Sequence, residues 1–398
     1  MNAPTITTDN KDKDNTRDAD QRILRSRFWF LAAVSAFLII TFVYHLPLRF
    51  LHQATGDTGH GMMANGMAAD GHMRDVPSTA VLEKLPLKNP LNRTGSLAFV
   101  MAEDGYKEFR LEADEFRWEY APGKWVHVWG YNNQIPGPEI RVIEGDKVRV
   151  IVKNNLPDAT TVHWHGLDVP WQMDGVAGVT QEAIQPGKEF RYEFTALPAG
   201  TRFYHTHGYS HETSAQQLDM GLSGAFIVEE FRQQRITPKN ATEYDRDYTL
   251  ILDEWEILAG GANTAVGHVH GSGAMGAIPD FNTFTINGRI FPYTDILPIQ
   301  KGERALVRFI NVGTAASHPM HLHGHSFRVV ARDGFTLAAA AQEEHNTITI
   351  NPGETLDILV DANNPGPWLL HCHHVHHAAA GMITLFKYEG YEPIRPLQ

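Results

Sequence analysis

Residues 144–166 and 301–324 of this 398-residue chain are two copies of one pattern. "EGDKVRVIVKNNLPDATTVHWHG" resembles "KGERALVRFINVGTAASHPMHLHG": a turn, an alternating segment, a loop, then His-x-His-Gly. "RFYHTH" (202–207) follows the first copy and "WLLHCH" (368–373) the second. A chain that repeats the same order of motifs is built from two homologous units, placed here at 96–240 and 241–398.

Inside each copy the period is two. "DKVRVIVKN" (146–154) puts Val148, Val150 and Val152 on one face, and "ERALVRFIN" (303–311) does the same. "NNQIPGPEI", "IQPGKEF" and "INPGETLDI" supply turns between such segments, within a total of 34 Gly and 22 Pro. No long amphipathic helix interrupts them. The pattern predicts an all-β chain of two sandwich domains.

The spacing then dictates chemistry. Residues i and i+2 of a strand face the same side, so each His-x-His sends two imidazoles to one place. Four pairs offer eight nitrogens, more than one ion needs, and imply a cluster of metals. Zinc favours a closed site of four ligands. Eight imidazoles without a second thiol point to copper. Cys372, the only cysteine, cannot form an intramolecular disulfide. With 371–373 extended, His371 and His373 face the cluster and Cys372 faces its own sandwich. There His318, from the loop before "HLHG", with His377 and Met382 at +5 and +10, completes a blue-copper set of two nitrogens, a thiolate and a weak axial sulfur. Cys372 becomes a short covalent bridge between that copper and the cluster.

Taken together, "HWHG", "HTH", "HPMHLHG" and "HCHHVHHAAAGM" resemble the four copper motifs of the multicopper oxidases, in order, across about residues 96–390. The resemblance implies cupredoxin-like Greek-key domains and a ligand set. Type 1 copper would take His318, Cys372, His377 and Met382. Type 2 copper would take His163 and His321. The type 3 pair would take His165, His205, His207, His323, His371 and His373. Thr206 stands where Cys372 stands, so the first domain has no type 1 site. Two domains, with type 1 copper in the second, look like the small laccases. That likeness implies a homotrimer with the trinuclear cluster between subunits, although an intramolecular interface fits the sequence as well. It also implies one-electron donors near His377 and four-electron reduction of dioxygen to water. Asp174 in "MDGVAG" matches an acidic residue of the family and is assigned as proton relay. Ala378 replaces a second acid found in some relatives. His211, His325, His374 and His376 receive no site, and Asp168 and Glu182 are read as structural.

The N-terminus locates the chain. Phe28–Tyr44 is uncharged and follows Arg22, Arg25 and Arg27, the flank that keeps an N-terminus cytoplasmic. Residues 28–50 are therefore expected to be a membrane anchor, with a cleaved signal segment as the alternative. Residues 1–27 are expected to be disordered and cytoplasmic, and the bulk exported to the periplasmic side. Residues 51–95 read as a flexible linker carrying His52, His60, Met62, Met63, Met67, His72 and Met73, ligands that suit Cu(I). "GGANTAVGHVHGSGAMGA" (260–277) reads as a surface loop.

A formal charge of −12 excludes nucleic acid as a partner, because phosphate binding needs a basic face. The reading that follows is laccase-like oxidation of phenols or aromatic amines. Cu(I) oxidation for copper tolerance is the alternative. Nitrite reduction, which needs one type 2 copper only, and copper sequestration, which gives no reason for Cys372 between cluster ligands, fit less well.

Overall fold

The computed structural model describes residues 77–89, 95–209, 211–231, 243–263 and 280–395. The expected leader and anchor (1–50), the stretch from His52 to Met73, and the loop positions His268, His270 and Met275 lie outside the described residues. Among the described residues no helix is long and apolar enough to cross a membrane.

Each repeat unit pairs two sheets. In the first unit, Lys107–Ala121 runs parallel to Lys147–Asn154, which is antiparallel to Glu189–Thr195. In its second sheet, Gly137–Ile143 is parallel to Ser223–Glu229, followed by β1 (Val162–His165) and β2 (Gly200–Thr206) in the order 223–229, β2, β1. After β2 comes helix α1 (His211–Asp219). The second unit repeats this pairing by pairing. Arg246–Trp255 is parallel to Arg304–Asn311, itself antiparallel to Thr355–Asp361. Leu297–Ile299 is parallel to Ile383–Tyr388, which pairs with β4 (Pro367–Cys372), and β4 pairs with β3 (His318–Leu322). Helix α2 (Val375–Ala379) follows β4. Both units are thus cupredoxin-like sandwiches.

The alternation in the sequence explains the cores. Val148, Val150 and Val152 are fully buried with Trp164, Tyr192, Tyr204 and Phe226. Phe309, Met320, Leu356, Cys372 and Met382 occupy the second core. Each such side chain contributes about 1.5–3 kcal/mol on burial.

Part of the expected linker belongs to the first domain. Residues 79–82 form a helical turn with Leu82 buried, and Leu87–Lys88 pairs parallel with Arg117–Trp118. A single buried apolar residue in a polar stretch, here Leu82, leaves no periodic signal. His318 also differs from expectation: it is the first residue of β3, not part of the preceding loop.

The domains meet along the outer face of β2. Phe203, Ala225 and Ile227 pack against Ile251, Ile310 and Val312. Beside them Arg308 donates to Thr201 Oγ1 (2.7 Å), Asp357 Oδ2 (3.2 Å) and both oxygens of Asp247. Gly200 (φ 134°) lets the backbones touch, since a Cβ there would lie 1.9 Å from Gly334 O.

A second contact is acidic. Asp219, the last residue of α1, accepts from Thr314 Oγ1 at 2.7 Å. Glu254 accepts from the amides of Ala315 and Ala316 in the same loop. Burial pushes the Asp219 carboxyl up to about 7, with the charge of nearby Glu254 adding to the rise. The helix C-terminus is also a poor place for an anion. An aspartate in the unfolded chain titrates near 4. Between about pH 4 and 7 the folded state holds a proton that the unfolded state has lost, so this group's contribution falls as pH rises and levels off above 7. Asp219→Asn keeps an acceptor for Thr314 and removes that penalty. Thermal unfolding should show the variant gaining on the parent by several degrees at pH 8 and little at pH 4. An equal difference at both pH values would refute the linkage.

Candidate metal centre

Cys372 Sγ lies 3.8 Å from His318 Nδ1 and 3.7 Å from His377 Nδ1, and the two nitrogens are 3.3 Å apart. A triangle with these edges has its centre about 2.1 Å from each corner, the length of a metal–ligand bond. Strand alternation puts Cys372 inside, and α2 returns His377 beneath the end of β4. Phe284 stacks on His377 with centroids 3.9 Å apart and fixes its plane. Burial lowers His318 to about 3 and His377 to about 4, so both are neutral and able to ligate. Burial raises the Cys372 thiol to about 11. An incoming metal must therefore displace its proton. Met382 is fully buried in the same core.

Cys372 sits between two outward histidines. β3 and β4 pair with His321 opposite His371, and the rings of His321, His323, His371 and His373 lie 4.8–5.9 Å apart in sequence of contacts. His323 Nε2 and His371 Nε2 face each other at 3.0 Å, a hydrogen-bond distance. The first domain repeats the register, with His163 opposite His205 on β1 and β2. The His163 ring lies 5.7, 5.3 and 6.0 Å from those of His165, His205 and His207. His165 Nδ1 points at His205 Nε2 across 3.4 Å. Burial and the charge of His163 lower His165 to about 4 and His205 to about 3.

Ring orientation comes from the backbone. His163 Nδ1 bonds Asp174 O (2.8 Å), His205 Nδ1 bonds Thr206 O (2.7 Å), His321 Nδ1 bonds Asn346 O (2.7 Å) and His371 Nδ1 bonds Cys372 O (2.9 Å). A carbonyl can only accept, so each Nδ1 carries hydrogen and each Nε2 keeps its lone pair for a metal. The Asp174 carboxylate lies 3.3 Å from His163 Nδ1. Gly175 makes that approach possible, because at φ 83° a Cβ would fall 1.8 Å from Val162 O.

All the sequence-derived ligand positions are thus gathered, but into three groups. Among the described residues every ring contact between cluster histidines stays within one domain. Among the described residues no ring contact joins His163 to His321. Of the extra histidines, His325 is buried and bonds Tyr388 Oη at 2.7 Å, while His374 and His376 are exposed beside His377. Phe284 escaped the sequence reading because stacking partners carry no motif.

Soft thiolate with two neutral imidazoles, joined by one residue on either side to further imidazoles, is a donor set for copper electron transfer. Residues 113–233 and 268–390 each match the family description "Multicopper oxidase". The chain is 34% identical to the blue copper oxidase of Nitrosomonas europaea, with 71% of this chain and 86% of that one superposed at a TM-score of 0.61. It is 29% identical over 260 residues to the multicopper oxidase mco of Staphylococcus epidermidis, covering 65% of this chain and 54% of that protein. The chain spans about half the length of the curated relatives it matches. A copper nitrite reductase of Nitrosomonas europaea, 23% identical with a TM-score of 0.58 over 71% of this chain and 95% of that one, shares the fold alone. This chain belongs to the multicopper oxidases, a family that carries type 1, type 2 and type 3 copper.

Proposed function

We propose that the protein is a laccase-like oxidase that takes single electrons from phenols or aromatic amines and passes four to dioxygen, giving water. The observation that supports it is the continuous path from the Cys372 triangle to the outward imidazoles of His371 and His373. Copper, when bound, would supply the redox chemistry at both ends. The chain's own residues do the rest. His318, Cys372, His377 and Met382 would hold type 1 copper, with the edge of His377 facing the donor. Val375, 69% exposed and two residues before His377 on α2, offers apolar surface on the same short helix. His163 and His321 would hold type 2 copper, and His165, His205, His207, His323, His371 and His373 the type 3 pair.

The two histidine sets would be joined by a second copy of the chain, giving a homotrimer with intersubunit clusters. Their separation within one chain supports this, as do the exposed Trp171 (63%) and Val179 (74%) in the loop that carries Asp174. We place the protein on the periplasmic side of a membrane through residues 28–50.

The test is oxygen uptake by the copper-loaded chain with a methoxyphenol or with Cu(I). Uptake with the phenol supports the reading. Uptake with Cu(I) alone replaces it with cuprous oxidation for copper tolerance, the role that the Met and His residues between His52 and Met73 favour. Reduction of nitrite without oxygen uptake would overturn both.

Asp174 is assigned to hold a proton on the outer side of His163. Asp174→Asn should lower turnover about ten- to a hundredfold and change its pH profile. An unchanged rate and profile would remove it from the mechanism.

A further inference from the structure

Domain one repeats the type 1 geometry without its ligands. In domain two the Cys372 amide donates to Met382 O (3.1 Å) and the Met382 amide to His377 O (3.0 Å). In domain one the Thr206 amide donates to Leu222 O (3.0 Å) and the Leu222 amide to Gln217 O (3.3 Å). Matching His163 to His321 also matches Thr160 to His318. Thr160, Thr206, Gln217 and Leu222 therefore stand where His318, Cys372, His377 and Met382 stand, and none is more than 1% exposed.

Hydrogen bonds fill the place of the metal. Gln217 Oε1 lies 2.7 Å from Thr160 Oγ1 and 2.6 Å from Thr206 Oγ1, and the hydroxyls are 2.9 Å apart. Gln217 Nε2 donates to Ala159 O at 2.9 Å, which fixes the amide with its oxygen toward the hydroxyls. Thr206 Oγ1 also accepts from the Gly208 amide at 3.2 Å.

We propose that Gln217 is a positioning residue for the histidines of domain one. Through Thr206 it anchors β2 and directs His205 and His207 toward His163 and His165, as the Cys372 site anchors β4 in domain two. The inference rests on the copper reading above. Thr206 O receives the Nδ1 bond that orients His205, just as Cys372 O orients His371, so the tilt of the Thr206 peptide decides which nitrogen His205 presents. One turn earlier on α1, Ser214 Oγ donates to His207 O at 2.7 Å and ties the same helix to the second histidine. Without the Gln217 oxygen two buried hydroxyls lose their common acceptor, and the strand between two ligands is free to shift.

Three variants of the full chain separate positioning from folding. Gln217→Glu keeps an oxygen acceptor for the two hydroxyls but loses the donor to Ala159 O. Gln217→Leu removes the common acceptor and leaves the hydroxyls only each other and Thr161 O as acceptors. The triple variant Thr160→Val, Thr206→Val, Gln217→Leu removes the hydroxyls and their acceptor together, at the cost of the bonds to the Gly208 amide and Ala159 O. After copper loading, copper per chain, the blue absorption band and oxygen uptake are measured, with melting of the metal-free protein alongside. Gln217→Glu should keep more cluster copper and uptake than Gln217→Leu and less than the parent, because it retains the acceptor and loses the donor. Gln217→Leu and the triple variant should keep the blue band, lose most cluster copper and lose uptake about a hundredfold, the effect of displacing a ligand by about 1 Å. The triple variant should melt close to the parent when metal-free. Full copper content and uptake within about twofold of the parent in the triple variant would overturn the proposal. Absence of the blue band in the parent itself would overturn the copper reading, and this inference with it.

Discussion

Oxygen uptake by Cys372→Ser is expected to fall by more than the ~10–100-fold that loss of an outer partner of a metal ligand costs. The blue colour should vanish with it, and one copper per chain should be missing while the histidine cluster keeps its own. The geometry leaves no substitute for the thiolate. Sγ is one corner of a triangle whose other corners, His318 and His377, are held by β3 and by the Phe284 stack. A hydroxyl at the same place is a hard, weakly acidic donor in a site with no charge to help it ionise. Even the thiol is raised to about 11 by burial, so loading requires proton release and should strengthen as pH rises. Because Cys372 is fully buried and serine is slightly smaller, the metal-free variant should fold with only a small loss in melting temperature. Absorption spectra, copper analysis and oxygen uptake check the three effects separately. A colourless variant with undiminished uptake would show that electrons do not enter through this thiolate.

The strands and their faces were legible because two-residue periodicity survives without any knowledge of neighbours. Val148, Val150 and Val152 announce a buried face, and His-x-His announces an outward one. What the period does not encode is which strand lies alongside. The registers that set His163 opposite His205 and His321 opposite His371 are properties of the folded sheets. So is the separation of the two histidine sets. Spacing tells which way an imidazole points, and only the packing of Phe203 on Ile251 and Ile310 tells where domain one points relative to domain two.

The Thr160–Thr206–Gln217 triad shows a subtler limit. The repeat matches Thr206 to Cys372 by eye, yet Gln217 stands eleven positions beyond Thr206 whereas His377 stands five beyond Cys372. The nine-residue α1 replaces the five-residue α2, and the offset hides the correspondence until the backbone hydrogen bonds are compared. Asp219, Asp253 and Glu254 were hidden differently. Charged side chains read as surface, but all three are buried at the domain contact, and burial pushes their carboxyls up.

Mixing two inactive variants should restore activity if neighbouring chains complete each other's cluster. His205→Ala removes a ligand of domain one, and His323→Ala removes one of domain two. Each alone should show less than about a hundredth of the parent's uptake, since every cluster lacks a ligand. In a ring where domain one of each chain faces domain two of the next, a random equal mixture contains interfaces built from two undamaged halves. Such an interface needs domain one from a His323→Ala chain and domain two from a His205→Ala chain, which happens in about a quarter of cases. That second domain also carries an intact Cys372 site, so these interfaces are complete. Co-refolded mixtures should therefore regain about a quarter of the parent's oxygen uptake. Gel filtration of the parent should show three chains, and activity should follow that species. A cluster assembled within one chain gives no recovery at any mixing ratio, because each chain then carries its own defect. Zero recovery from a mixture that elutes as trimer would therefore move the cluster inside the chain and require the two histidine sets to close on each other by domain movement.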